Sequence, residues 1–211
     1  MLASIIGKNS LLLGGFALLT TLLIAITHSA TEEAIEHNIA QAQQKALLEI
    51  LPEKSHNNDL LKEAKVVPNP EKLGLRGDKA YFTARYNEQV RSIILPVTSR
   101  QGYSGDIDLI VGIHRDGSIA GVRVLSHRET PGLGDAIDLK KSPWILSFNG
   151  KSLINPSTKG WGVKKDGGEF DQFTGATITP RAVTRAVKKA LDYAEANYDA
   201  LFTQPSKGIN E

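Results

Sequence analysis

Between Lys8 and Glu32 no residue carries a full charge, and Leu11 to Ile26 is almost wholly apolar, relieved only by Gly14, Gly15, Thr20 and Thr21. A helix of roughly 20 such residues crosses a bilayer core of about 30 Å. The pattern predicts a transmembrane helix over 9–28, behind a short tail at 1–8. From Ser29 to Leu51 the apolar positions become Ala34/Ile35, Ile39, Ala42, Ala46/Leu47 and Ile50. That three- and four-residue spacing marks an amphipathic helix, ended by Pro52. Either Ser29 and Glu32 form a capping box that starts a new helix, or the membrane helix runs on. Residues 29–77 read as a stalk helix followed by a polar, proline-containing connection.

Beyond Gly77 the period changes to two. Ala80 to Tyr86 and Ser92 to Thr98 read as strands joined through Asn87-Glu88, and Pro96 points to an edge position for the second. Ile107, Leu109, Val111 and Ile113 share one face of a third strand, with Asp108 and Gly112 on the other. Asp116-Gly117 turns the chain, and Ile119 to Leu125 returns beside it. Pro131-Gly132 demands a further turn. Pro143 to Phe148 reads as a short helix that carries Trp144 into the core, and Gly162 to Lys165 as a strand. Thr179 suits an N-cap and Pro180 a first helical position. Val183, Ala186/Val187, Ala190/Leu191 and Ala194 then form the core stripe of a final helix reaching about Tyr198. The fold class is α+β: an antiparallel sheet with packed helices over 78–200, and a tail over 201–211.

Charge adds little to this picture. Among 211 residues, 25 Lys and Arg stand against 23 Asp and Glu, without the clustered basic face that nucleic acid requires. The absence of cysteine matters more. It excludes disulfides, thioether haem, iron–sulfur clusters and thiolate zinc sites within the chain, and also a lipoprotein. His37, His56 and His114 show no metal-ligand spacing, and no nucleophile–base constellation is visible. The apolar helix reads as an uncleaved anchor rather than a signal peptide, because His28 sits poorly three residues before a cut after Ala30. Lys8 and the α-amino group on one side, and Glu32, Glu33 and Glu36 on the other, put the tail in the cytoplasm and the domain outside.

The densest chemical signal is Asp171-Gln172-Phe173-Thr174-Gly175-Ala176-Thr177, ahead of the final helix. A helix N-terminus carries unpaired N–H groups and partial positive charge, so it favours a phosphate, and a threonine hydroxyl there is well placed to bear one. On the residues alone, the stretch also reads as an ordinary strand-to-helix turn. Asp-x-x-Thr-Gly-Ala-Thr, however, resembles the flavinylation motif of FMN-binding domains in Rnf-type electron transport complexes (Rsx in some bacteria) and sodium-pumping NADH:quinone reductases. His127-x-Glu129-Thr130-Pro131-Gly132-Leu133-Gly134 is similar to a second characteristic segment, and Gly102-Tyr103-Ser104-Gly105 with its hairpin to a third. The N-terminal helix matches the architecture. The RnfG family fits better than the related quinone-reductase component, which is usually longer and usually has Ser in place of Thr174.

The resemblance implies that FMN is attached through its phosphate to Thr177 by a flavin transferase that uses FAD. Asp171, Thr174, Gly175 and Ala176 fill the other motif positions. It further implies that His127, Glu129 and Thr130 line the flavin. By charge alone, Lys164 and Lys165 either offset an anionic flavin or phosphate or belong to a solvated hairpin, and Arg181 suits the phosphate. The expected protein is a single-pass inner-membrane subunit with its FMN domain in the periplasm. It would relay electrons inside a complex whose other subunits supply iron–sulfur centres and the ion path, and so carries no complete active site of its own. The rivals are the related component of a sodium-pumping NADH:quinone reductase, a stand-alone flavin reductase, for which no substrate pocket is evident, and a non-redox assembly subunit in which the turn is only structural.

Overall fold

In the computed structural model, which describes residues 2–203, the apolar N-terminal segment and the amphipathic one after it are a single helix, α1 (Leu2–Ile50). The run-on alternative therefore holds, and no cap interrupts the helix at Ser29. Within it, Ile6–Ile35 is long and apolar enough to cross a membrane. Leu11, Phe16, Leu22 and Ile24 all stand exposed, as side chains facing lipid would. The chain divides into two compact units, Met1–Gln43 and Gln44–Glu211. Of the predicted stalk stripe, Ile35 is exposed and only Leu47 and Ile50 are buried; the side chain of Ile39 lies outside the described set.

The second unit is built on five antiparallel strands in the order β1 (Lys65–Val66), β2 (Ala80–Tyr86), β3 (Gln89–Ser99), β4 (Ile107–His114) and β5 (Ile119–Ser126). The β2–β3 turn uses Asn87 and Glu88, both at positive φ (49° and 63°), the twist that a two-residue hairpin needs. Pro96 does not put β3 at an edge, since β3 lies between β2 and β4. Pairing with β2 runs only from Gln89 to Ile94, so Pro96 stands beyond the end of that ladder, where its missing N–H costs nothing.

Both sheet faces are covered, which is why alternation in β4 is incomplete. Leu109, Val111 and Ile113 join the larger core beneath α2 (Ile178–Ala196) and the short α3 (Tyr198–Phe202). Ile94 and Ile110 face the other way and pack with Leu47 and Ile50 from the end of α1 and with Leu51 just past it. Gly112 makes the seat for that helix end, because a Cβ there would collide with Ile50 Cγ2. Arg123 of β5 fastens it with a 2.8 Å ion pair to Glu49.

Further along, Pro143–Phe148 is a 3-10 helix capped by Ser142, and it buries Trp144 edge-to-face against Phe148 and Phe173. The expected strand at 162–165 is reduced to an isolated bridge, Val163 to Phe170, followed by a 3-10 turn at Lys164–Asp166. Here Gly168 lies flat against the backbone of Gly162, leaving no space for a Cβ. Residues 201 and 202 belong to α3 rather than to a tail, and 204–211 lie outside the described residues.

Candidate functional site

The Thr-Gly-Ala-Thr segment is a tight turn followed directly by a helix. Ala176 N donates to the Phe173 carbonyl at 3.1 Å, closing a four-residue turn. Gly175 takes φ +80° at its third position, a conformation that a side chain would strain. The helix begins two residues earlier than the sequence predicts. Its N-cap is Thr177, not Thr179, and the Thr177 carbonyl accepts from Arg181 N. Thr177 already has helical backbone angles (φ −71°, ψ −28°), and its hydroxyl makes no capping hydrogen bond. The residue is half-buried, at the positive end of a 19-residue helix.

Thr179, the expected cap, is buried, and its hydroxyl donates to Glu129 Oε2 instead. Glu129 is itself only 4% exposed. Its carboxylate also accepts from Tyr103 N at 3.3 Å and from Ser104 N at 2.9 Å. One buried carboxylate thus ties three segments together: the 102–105 loop, the 127–134 segment and the start of α2. Two glycines make room for it. A Cβ at Gly102 would meet Glu129 Oε1 at 2.9 Å, and one at Gly134 would meet Thr179 Oγ1 at 2.8 Å and Glu129 Oε2 at 3.1 Å. The 127–134 segment is itself knotted locally. The Thr130 carbonyl accepts from Leu133 and Gly134, and Asp135 Oδ1 accepts from Gly132 N at 2.7 Å.

These segments enclose an open cavity of about 240 Å³. Glu129, Thr130, Leu133 and Gly134 form one wall; Gly175, Ala176, Thr177, Ile178 and Thr179 form another; Tyr103 closes the rim. Of the residues predicted for the site, Thr177, Gly175, Ala176, Glu129 and Thr130 therefore meet at one place. His127, Lys164, Asp171 and Thr174 lie outside that lining. His127 Nδ1 accepts from Glu129 N at 3.1 Å. Lys164 pairs with Asp171 at 2.6 Å on the surface, and the Asp171 carbonyl accepts from Trp144 Nε1 at 2.8 Å, anchoring the motif to the aromatic core. Thr174 is exposed. Arg181 is not free to meet a phosphate, because its guanidinium grips Asp166 through two bonds of 2.6 and 2.8 Å. Those bonds hold the Asp166 carboxyl below the usual carboxylate range and raise Arg181 further. Tyr103 and Ile178, which sequence reasoning did not single out as site residues, sit at the mouth. The signal available for Tyr103 was an aromatic between two glycines.

A tight turn and a helix N-terminus beside an apolar-rimmed hollow form a setting that suits an anionic group, and comparison with known proteins names a cofactor. The FMN-binding domain family matches residues 102–192, which contain the whole cavity, and the RnfG N-terminal region matches residues 1–50. The G subunit of the ion-translocating oxidoreductase complex of Pseudomonas aeruginosa is 49% identical over 194 residues, covering 92% of this chain and 91% of the relative. Its namesakes in Vibrio cholerae and Aliivibrio fischeri are 46% identical over 205 residues (95% and 96% covered) and 42% identical over 198 residues (94% of each). The chain belongs to this RnfG family and carries an FMN-binding domain.

Proposed function

We propose that the chain is a membrane-anchored electron carrier of an ion-translocating oxidoreductase complex, with FMN held by a phosphodiester to Thr177 Oγ. The placement of Thr177 carries the proposal. Its hydroxyl is uncommitted, stands at a helix N-terminus that favours an anionic phosphate, and opens on the cavity inside the matched FMN-binding domain. A cavity of about 240 Å³ is below the ~300–1,000 Å³ of sites that engulf a ligand. A covalent tether supplies the retention that burial does not.

Attachment balances as a transfer from FAD. The Thr177 oxygen forms a bond to the FMN phosphorus, the pyrophosphate bond of FAD breaks, AMP leaves, and the hydroxyl proton passes to solvent. A flavin transferase performs this step, reading the exposed Asp171 and Thr174 beside the Gly175-Ala176 turn. In the finished protein, bound FMN supplies electron-transfer chemistry that the chain's own side chains lack. Thr177 holds the group, and Ala176, Gly175 and Thr130 wall it. Glu129, in the same wall, ties the surrounding segments together through its buried carboxylate, and His127 braces Glu129. Lys164 neutralises Asp171.

In this reading the carrier sits in the inner membrane with its N-terminus cytoplasmic and the FMN domain periplasmic, next to iron–sulfur and membrane subunits with which it exchanges electrons; the apolar span at Ile6–Ile35 supports the anchor. Denaturing electrophoresis of the full chain, coexpressed with its transferase, tests the attachment. The protein band should fluoresce as flavin, and Thr177→Ala should be dark. A dark wild-type band would refute it.

A further inference from the structure

We infer that Tyr103 is the aromatic face on which the isoalloxazine ring of the FMN rests, a role that depends on attachment at Thr177. Tyr103 is 70% exposed, an unusual state for a large aromatic, yet it lines the same small cavity as Thr177. Its loop is not loose. Tyr103 N and the next amide, Ser104 N, are both held by the buried carboxylate of Glu129. A ring on a fixed backbone with its face uncovered is a preorganised stacking platform.

The two other exposed apolar side chains on the rim, Leu133 and Ile178, are each 44% exposed and complete a greasy border around the Thr177 hydroxyl. An apolar rim about an anion-favouring helix start suits a ligand with a phosphate at one end and a flat heteroaromatic ring at the other. The other aromatics near the motif do not compete, since Trp144 and Phe173 pack edge-to-face on each other, and Trp144 is buried against Phe148 and donates its N–H to the Asp171 carbonyl.

A tyrosine stacked on a flavin quenches its fluorescence by donating an electron to the excited ring, as tryptophan does and leucine does not. The test uses the full chain in detergent, flavinylated by coexpression with the transferase. Covalent flavin is scored on a denaturing gel, and the native flavin fluorescence lifetime is measured for wild type, Tyr103→Leu and Tyr103→Trp. The expected result is flavin on all three, a short lifetime in wild type, a several-fold longer one in Tyr103→Leu, and a short one again in Tyr103→Trp. Equal lifetimes in wild type and Tyr103→Leu, with flavin attached to both, overturn the stacking role and leave the attachment intact. Absence of flavin from denatured wild type sinks both proposals. If Tyr103→Leu alone takes up no flavin, Tyr103→Phe, which keeps the ring but is a far poorer electron donor, replaces it, and a lifetime as short as that of wild type counts against the role.

Discussion

At the residue scale the structure turns on Glu129. Its carboxylate satisfies one hydroxyl and two backbone amides inside the fold, and removing a buried acceptor leaves each donor unpaired at about 1–3 kcal/mol. Glu129→Ala should destabilise the domain by about 3 kcal/mol or more, read from chemical unfolding followed by the fluorescence of the buried Trp144 and Trp161. A loss under about 0.5 kcal/mol, the scale of an ordinary surface change, would show that the network is incidental. Gly175→Ala should cost about 1 kcal/mol from its positive φ alone, since a Cβ there meets only Leu133 Cδ2 at an ordinary 3.5 Å. The turn and Thr177 were legible in the sequence because their signals are local. Glu129 was legible only as a candidate: its burial depends on positions 103, 104, 129 and 179 closing together, and no short-range pattern encodes that. The trace it left was indirect, in Gly102 and Gly134, which keep space for it. The N-cap moved from Thr179 to Thr177 for the same reason, because the Thr179 hydroxyl found a tertiary partner.

At the scale of elements, the hairpins were readable because alternation and turn residues suffice to define them. The β4–β5 turn is stapled by Asp116, whose Oδ1 accepts from Ser118 Oγ at 2.6 Å and Ser118 N at 2.9 Å. The Ser118 hydroxyl and amide hold its carboxyl below the usual range. A folded pKa below the unfolded value of about 3.9 gives stability that is present above that pH and is lost as pH falls through the folded value. Asp116→Asn should therefore be less stable than wild type at pH 7, with the gap closing as pH falls below the unfolded value and through the folded one; a gap that stays constant over that fall would contradict the assignment. What the pattern could not show is that the second sheet face is also covered. Gly112 reads as a polar-face residue or a weak strand position, yet it is where Ile50 lands. Gly112→Val should lift the end of α1 from the sheet and cost about 1–3 kcal/mol by overpacking, measured in the same unfolding assay. The 3-10 segments between β5 and α2 have no period of their own, and their shape comes from the Trp144, Phe148, Trp161 and Phe170 cluster around which they wrap.

At the scale of the whole molecule, an anchor helix and an FMN-binding domain divide the work. The anchor confines a small electron carrier to the membrane plane, and the domain binds the flavin. The apolar run made the anchor legible, whereas the continuity of α1 to Ile50 was left open, because a serine and a glutamate at cap spacing mimic a break. A reporter fused after Glu211 should be active only outside the cytoplasm, and cytoplasmic activity would reverse the proposed orientation. The central claim is the covalent site, and peptide mapping by mass spectrometry reaches it most directly. The full chain, matured with its transferase and digested, should yield one peptide that contains Thr177 and is heavier by one FMN less one water, with fragmentation placing the gain on Thr177. An unmodified peptide, or FMN found on another residue, would contradict the account.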